Sequence, residues 1–241
     1  MKIALIGYGK LGKAIEEMAI KRGHEIVLRV TKANAHSYEL TGCDVAIECT
    51  NPAAVLGNIN RCLMANIPVV VGSTGWYDQF DIVKKNVDAH HGSLLYATNF
   101  SVGVHLFWEA CRSLATMMDK FKNYDVRITE IHHTAKKDAP SGTAITTAEI
   151  LVEELATKNQ WLLTNERVVN KEHIIGIEAL REGDVKGTHI VTFESKVDRI
   201  ELKHEALNRE GFASGALLAA EFLQSKKGVY SMRDVMKDYQ S

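Results

Sequence analysis

The sequence predicts an α/β chain: a parallel sheet wrapped by helices, followed by an α+β domain with a mixed sheet. Three observations carry this. Strand-like and helix-like apolar runs alternate over the first hundred residues, the grammar of a parallel sheet. A Gly7-Tyr8-Gly9-Lys10-Leu11-Gly12 loop sits directly after the first strand and opens the first helix. After Asn99 the alternation stops, and three strand-like runs follow one another with only short, turn-rich breaks.

Taken in order, residues 3–6 form an apolar strand. Leu11, Ala14, Ile15, Met18 and Ala19 then recur at helical spacing, with Gly23 as the stop. Residues 25–30 and 44–49 read as the second and third strands. Asn51-Pro52 reads as the cap and first residue of a helix reaching residue 65. Residues 68–71 are a strand ending at Gly72-Ser73-Thr74-Gly75, a helix follows near 77–87, and 93–97 is the next strand. A long helical pattern at 103–121 leads to a strand at 124–131. The helix from Thr143 places Ala144, Ala148, Leu151 and Leu155 on one face. Strands at 173–180, 189–193 and 199–204 are separated by turn signals, which predicts that they are antiparallel neighbours. An alanine-rich helix at 212–223 is the last element of the pattern.

A length of 241 residues suits one large domain or two small ones. The expected division is 1–100 with 210–241 as one domain and 101–209 as the other. Hydrophobic content of 46% with 24% charged residues is ordinary for a soluble globular chain. Twenty-nine basic against thirty acidic residues leave a net charge of -1, no footprint for nucleic acid or an anionic membrane. The apolar run behind Met1 is too short for a signal peptide, and no stretch approaches the roughly 20 apolar residues of a membrane span. Cys43, Cys49, Cys62 and Cys111 show neither CxxC nor ligand spacing. They read as reduced packing residues of a cytoplasmic protein, and no structural metal is expected.

The glycine loop carries the first functional reading. In its strand–loop–helix setting it predicts a Rossmann-like dinucleotide site, the pyrophosphate resting on the helix N-terminus. Gly7, Tyr8, Gly9, Lys10, Leu11 and Gly12 are the candidate contacts. An acidic residue about 20 positions on would hold the ribose hydroxyls of NAD. Here the second strand ends Arg29-Val30-Thr31-Lys32, so Thr31 and Lys32 suit the 2′-phosphate of NADPH, with NADH still usable. Gly72, Ser73 and Thr74, and Ala97, Thr98, Asn99 and Phe100, follow strands at the carboxyl edge where such sheets bind ligands. Asn99 can hydrogen-bond a nicotinamide amide there. Trp76 and Trp108 read as packing residues.

The second reading rests on Glu130-Ile131-His132-His133-Thr134-Ala135-Lys136-Lys137-Asp138-Ala139-Pro140-Ser141-Gly142-Thr143-Ala144. Two imidazoles follow a strand, two ammonium groups come within five residues, and Pro-Ser-Gly-Thr opens a helix. Such a run suits a site that holds a small polyanion and passes it a proton. The bland alternative is a solvated basic loop.

With these motifs in hand, the chain resembles the bacterial 4-hydroxy-tetrahydrodipicolinate (dihydrodipicolinate) reductases over essentially its whole length. The run from Glu130 to Ala144 matches the family signature E-x-H-H-x-x-K-x-D-x-P-S-G-T-A. Support comes from residues 97–103, from Arg181-Glu182-Gly183-Asp184 with Gly187 and His189, and from 212–216 and 228–232. The resemblance implies NAD(P)H-dependent reduction of a small cyclic imine dicarboxylate in diaminopimelate and lysine synthesis. It assigns His132 as acid/base, Lys136 as proton donor, His133 as a substrate contact, and Ser141, Gly142 and Thr143 to a carboxylate cradle. It also implies a homotetramer formed through the second domain. Two departures stand out: Glu48-Cys49-Thr50 where Asp-Phe-Thr is common, and a short chain. Lys137 has no counterpart in the motif. Competing readings are another NAD(P)-linked dehydrogenase, of an amino acid or semialdehyde, and a non-catalytic nucleotide-sensing module. The first would lack the His-His-x-x-Lys run. The second would need a partner-binding or DNA-reading element that the sequence does not offer.

Overall fold

A computed structural model of the chain describes residues 1–164, 172–208 and 210–239; the remaining positions of the expected domain spans lie outside the described residues. Two compact units are present, Met1–Val102 with Arg209–Ser241, and Gly103–Asn208. In chain order the first stretch contains β1 (Lys2–Ile6), α1 (Lys10–Lys21), β2 (Glu25–Val30), β3 (Val45–Glu48), α2 (Val55–Met64) and β4 (Val69–Val71). A short 3-10 turn (Tyr77–Gln79), α3 (Phe80–Ala89), β5 (Ser93–Tyr96) and α4 (Val102–Met118) follow. Then come β6 (Asp125–His132), α5 (Gly142–Glu154), β7 (Gln160–Leu163), β8 (Ile174–Arg181), β9 (Thr188–Glu194) and β10 (Arg199–Glu205). The chain finishes with α6 (Glu210–Leu223), β11 (Gly228–Ser231) and α7 (Met232–Asp238).

In the first unit, six parallel strands run in the order β11-β5-β4-β3-β1-β2. The interior strands β1, β3, β4 and β5 are apolar on both faces because both faces are covered. Ile3, Leu5, Val45 and Ile47 join the core with Ile15 and Ala19 of α1 and the alanines of α6. Ala4, Ile6, Ala46 and Val71 join the opposite core with Val55 and Ile59 of α2 and Val83 and Val87 of α3. Each buried isoleucine or leucine contributes about 1.5–3 kcal/mol of transfer free energy, so the sheet is the rigid floor under its own carboxyl edge.

In the second unit a mixed sheet runs β10-β9-β6-β8-β7. Its core joins Val104, Trp108 and Cys111 of α4 and Ala148 and Leu151 of α5 to Val126, Ile128, Ile177, Val191 and Phe193 of the strands. The fold class is therefore as the sequence predicts, a Rossmann-like parallel sheet plus a mixed-sheet α+β unit.

Three details differ from the sequence reading. Asn51-Pro52 does not open α2: the Asn51 side chain accepts from Ala53 N at 3.0 Å, its carbonyl accepts from Ala54 N, and the resulting turn precedes a helix whose cap is Ala54. The strands after residue 172 are not all neighbours. β9 and β10 are antiparallel, but β8 pairs in parallel with β6, which separates it from β9. The parallel pair is reached through α5, whose apolar face the sheet then buries. Finally, β7 and β11 are edge strands of four residues with little full burial, too short and too exposed to show a period, and α7 follows β11 immediately.

Candidate active site

The carboxyl edge of the parallel sheet brings together the turns after β1, β3, β4 and β5. At Gly7 (φ +103°) a Cβ would lie 2.5 Å from the Cys49 carbonyl, and at Gly12 one would lie 2.3 Å from the Gly7 carbonyl. Gly9 differs, because a Cβ there would meet nothing within 4 Å. The first glycine makes the turn, the last seats α1 under it, and the middle one leaves the approach to the loop open. No acidic residue occupies the first turn of α1 and no side chain caps it, so its N-terminal N–H groups and partial positive charge suit a pyrophosphate. These residues fit a dinucleotide. The ring of Phe100 packs 3.1 Å from where a Gly72 Cβ would stand, and Asn99 Oδ1 accepts from Ser101 N at 2.8 Å, shaping the turn after β5. Ser73 is buried with a hydroxyl that makes no hydrogen bond, and its carbonyl accepts from Trp76 Nε1 at 2.9 Å. Ala97 is buried, whereas Thr74 and Thr98 are exposed.

The departures at β3 are accommodated inside this edge. Cys49 Sγ donates to the Gly7 carbonyl, and burial pushes the thiol up to about 12. Glu48 is fully buried, its Oε1 accepting from Thr50 N and Asn58 Nδ2 at 3.1 Å each. Burial likewise raises the thiols of Cys43, Cys62 and Cys111.

At the end of β2, Thr31 and Lys32 are exposed. The Thr31 hydroxyl donates to Asn34 Oδ1 at 3.2 Å and accepts from Ala33 N. Arg29 points elsewhere, forking onto Glu16 of α1, which also accepts from Tyr8 Oη.

In the second unit the sequence run from Glu130 to Thr143 becomes a polar end on an otherwise apolar sheet face. Val126, Ile128, Glu130 and His132 alternate on the buried side of β6, as the two-residue period of a strand requires. The register sets His189 of β9 opposite Glu130 and Arg181 of β8 opposite His132. Glu130 is fully buried. Its carboxylate accepts from Ser141 N at 3.0 and 3.1 Å and from Arg181 Nη2 at 3.1 Å. Oε2 also lies 3.5 Å from His132 Nδ1 and 3.8 Å from His189 Nε2. The Nδ1 atoms of both rings are buried without a hydrogen bond. On the far side of His132, a Cβ at residue 187 would stand 3.2 Å from Nε2; the residue is Gly187, so the space beside Nε2 stays open.

The electrostatics follow from burial. Desolvation holds the His132 imidazole below its ordinary range; Glu130 opposes this, and Lys136 and Arg181 add to it. His189, more deeply buried and beside His132, is pushed down to about 3 and stays neutral. Its Nε2 meets the Ser141 hydroxyl at 3.2 Å, which in turn accepts from Ala144 N as the cap of α5. Lys136 Nζ donates to Asp138 Oδ2 at 2.5 Å. Carboxylate and imidazole donor atoms of Glu130, His132 and His189 lie within 4.8 Å of one another, but the guanidinium of Arg181 already supplies the positive charge on that carboxylate. The arrangement handles protons and anions.

Of the sequence candidates, His132, Ser141 and the start of α5 come together here. Lys136 and the half-exposed His133 stand in the turn after β6, while Gly142 is exposed with no atom within 4 Å of a would-be Cβ. The Ser141 side chain caps α5. The reading of single motifs gave no role to Glu130, Arg181, Gly187 or His189, although Glu130 lies two residues before His132, the spacing that shares a strand face. No helix among the described residues is long and apolar enough to cross a membrane.

Comparison with known proteins places both halves. Residues 1–100 match the family model described as dihydrodipicolinate reductase, N-terminus, and residues 103–236 match that of its C-terminus. A 4-hydroxy-tetrahydrodipicolinate reductase of Christiangramia forsetii is 42% identical over 99% of this chain and 98% of its own. One from Methanoregula boonei is 37% identical over 80% of this chain and 74% of its own. Among solved structures, a dipicolinate-bound dihydrodipicolinate reductase from Paenisporosarcina sp. TG-14 shares the fold at a TM-score of 0.75 and 22% identity, covering 96% of this chain and 97% of that one.

Proposed function

The chain belongs to the dihydrodipicolinate reductase family of NAD(P)H-dependent oxidoreductases, and from that premise we propose that it reduces 4-hydroxy-tetrahydrodipicolinate to tetrahydrodipicolinate. We place the step in diaminopimelate and lysine synthesis, in the cytoplasm. The observation that supports this best is the polar end of the mixed sheet. A proton-carrying ring, His132, has open space at Nε2, with a lysine in the next turn and a helix entrance beside Ser141.

The cofactor supplies a hydride when bound. The residues of this chain must then hold a dianion and deliver one proton, as the ring gains the hydride and its hydroxyl leaves as water. In this reading Gly142 and Thr143 at the start of α5 receive one carboxylate, with His133 as a further contact. Lys136 holds the developing negative charge and donates the proton to substrate, and His132 serves as the acid/base that replaces it. NADPH is preferred over NADH through Thr31 and Lys32, and the remaining cofactor contacts are those of the glycine loop and the turns after β4 and β5. The active species is a homotetramer. Both edges of the mixed sheet, β7 and β10, carry exposed apolar side chains (Leu162, Leu163 and Ile200), which fits assembly through that sheet.

Oxidation of NADPH on adding freshly made dihydrodipicolinate tests the reading directly. Turnover with that substrate and none with amino acids or semialdehydes is expected. Turnover of an amino acid instead would favour the broader dehydrogenase reading, and no turnover at all would favour a nucleotide sensor.

A further inference from the structure

We propose that Glu130 is the positioning residue of the site, its buried carboxylate holding His132 through Nδ1 so that Nε2 is the atom that gives up the proton. The inference deepens the assignment of His132 as acid/base and rests on it.

Three observations point the same way. Glu130 is placed by the strand itself, two residues before His132 and on the same face. Its carboxylate is anchored by Arg181 Nη2 on Oε1 and by Ser141 N on both oxygens, and Oε2 is the oxygen nearest the two rings. The nearest acidic oxygen to the orphaned His132 Nδ1 is that Oε2, at 3.5 Å, a separation that closes to a hydrogen bond when the ring is charged. Gly187 meanwhile keeps the Nε2 flank open. In the transfer the Nε2–H bond breaks, its electron pair stays on the ring, the proton replaces the one that Lys136 passes to substrate, and the ring is left neutral with its hydrogen on Nδ1, facing Glu130.

The groups that face His132 are Glu130 on its own strand, Lys136 and Asp138 from the following turn, Arg181 from β8 and His189 from β9, with His204 of β10 acting on His189. Only the carboxylates favour the charged ring. Removing the charge of Glu130 therefore leaves His132 buried beside Lys136 and Arg181 with only the weaker pull of Asp138, and its titration must fall.

Imidazole nitrogen NMR reads this without turnover. In the wild-type protein, neutral His132 should carry its hydrogen on Nδ1; the Nε2–H tautomer would overturn the proposal. In Glu130→Gln the His132 midpoint should fall by about one pH unit or more, the effect of losing a nearby opposite charge. Glu130→Asp, which keeps the charge but retracts it, should fall less. This variant and the wild-type tautomer decide the matter should Glu130→Gln not fold. The alkaline limb of kcat should move to lower pH with the same ranking, while KM for NADPH stays put. Unchanged His132 titration in a folded Glu130 variant would overturn the positioning role. Failure of the underlying assignment looks different: there, His132→Gln would keep near-wild-type kcat whatever the Glu130 variants show.

Discussion

At the scale of single residues, the proposed mechanism gives His132 and Lys136 separable jobs. His132→Gln should lower kcat by about 10²–10⁴, the usual worth of acid–base catalysis, with little change in cofactor affinity. Lys136→Ala should be at least as damaging, because charge and donor vanish together; a change in KM alone would make Lys136 a binding residue only. A second prediction concerns Lys32. It is exposed at the end of β2, whereas Arg29 is occupied by Glu16 and the Thr31 hydroxyl by Asn34. Lys32→Ala should raise KM for NADPH severalfold and leave that for NADH nearly alone, as expected for one screened point charge on a phosphate. Wild-type preference for NADH in steady-state kinetics would refute this. The reactive candidates were legible in the sequence because imidazole and ammonium groups in one short run have few other uses. Arg181 and His189 stand out in the sequence only as parts of a motif, since their closeness to Glu130 is created by strand pairing across more than fifty residues of chain.

At the scale of elements, the helix entrance offers the cleanest test. Gly142 opens α5 with nothing within 4 Å of a would-be Cβ, so Gly142→Val should fold normally yet obstruct the approach of an anion to the helix N-terminus. Binding of pyridine-2,6-dicarboxylate, a planar mimic of the substrate, should weaken about 10- to 100-fold, the loss of one charge-assisted hydrogen bond. Unchanged calorimetric affinity would remove Gly142 from the cradle. The helices could be read from sequence because each buries a periodic apolar face, and the interior strands of the parallel sheet because each is a continuous apolar run. The two shortest edge strands could not. β7 and β11 contribute four residues each and take their definition from neighbours, and β8 joins β6 by a long crossover that local turn signals do not reveal. At residues 51–55 the asparagine–proline pair makes a turn just as well as a helix start, and here the Asn51 side chain and carbonyl close the turn.

At the scale of the whole molecule, the buried ring of His189 ties stability to pH. Its pKa falls from about 6.5 in the unfolded chain to about 3 in the fold, so between those values the unfolded state binds the extra proton. Stability is therefore full above about pH 6.5 and is lost progressively as pH falls toward 3. Melting temperature should drop from pH 7 to pH 4, and His189→Asn, though less stable at neutral pH, should show a shallower drop; parallel curves for the two proteins would contradict this account. The division into a parallel-sheet unit and a mixed-sheet unit follows from what each sheet buries: helices on both faces in one, helices under a single face in the other.

The pairing of β6 with both β8 and β9 makes the site a matter of parity. Glu130 and His132 are even-numbered positions of a strand whose odd positions face away, and their partners are chosen by alignment, not by proximity in sequence. Substitutions along β6 change the spelling of the site, but a change of length inverts it. Single-residue deletions at positions 127–129 should abolish reduction of dihydrodipicolinate, turning the apolar stretch and the polar end of one face against each other. Deletion of two adjacent residues there restores the phase, and in a deletion library scored for soluble, active enzyme it should be tolerated better than deletion of one. Equal tolerance of the two would mean that the strand can slip, and that this site is held by its loops instead.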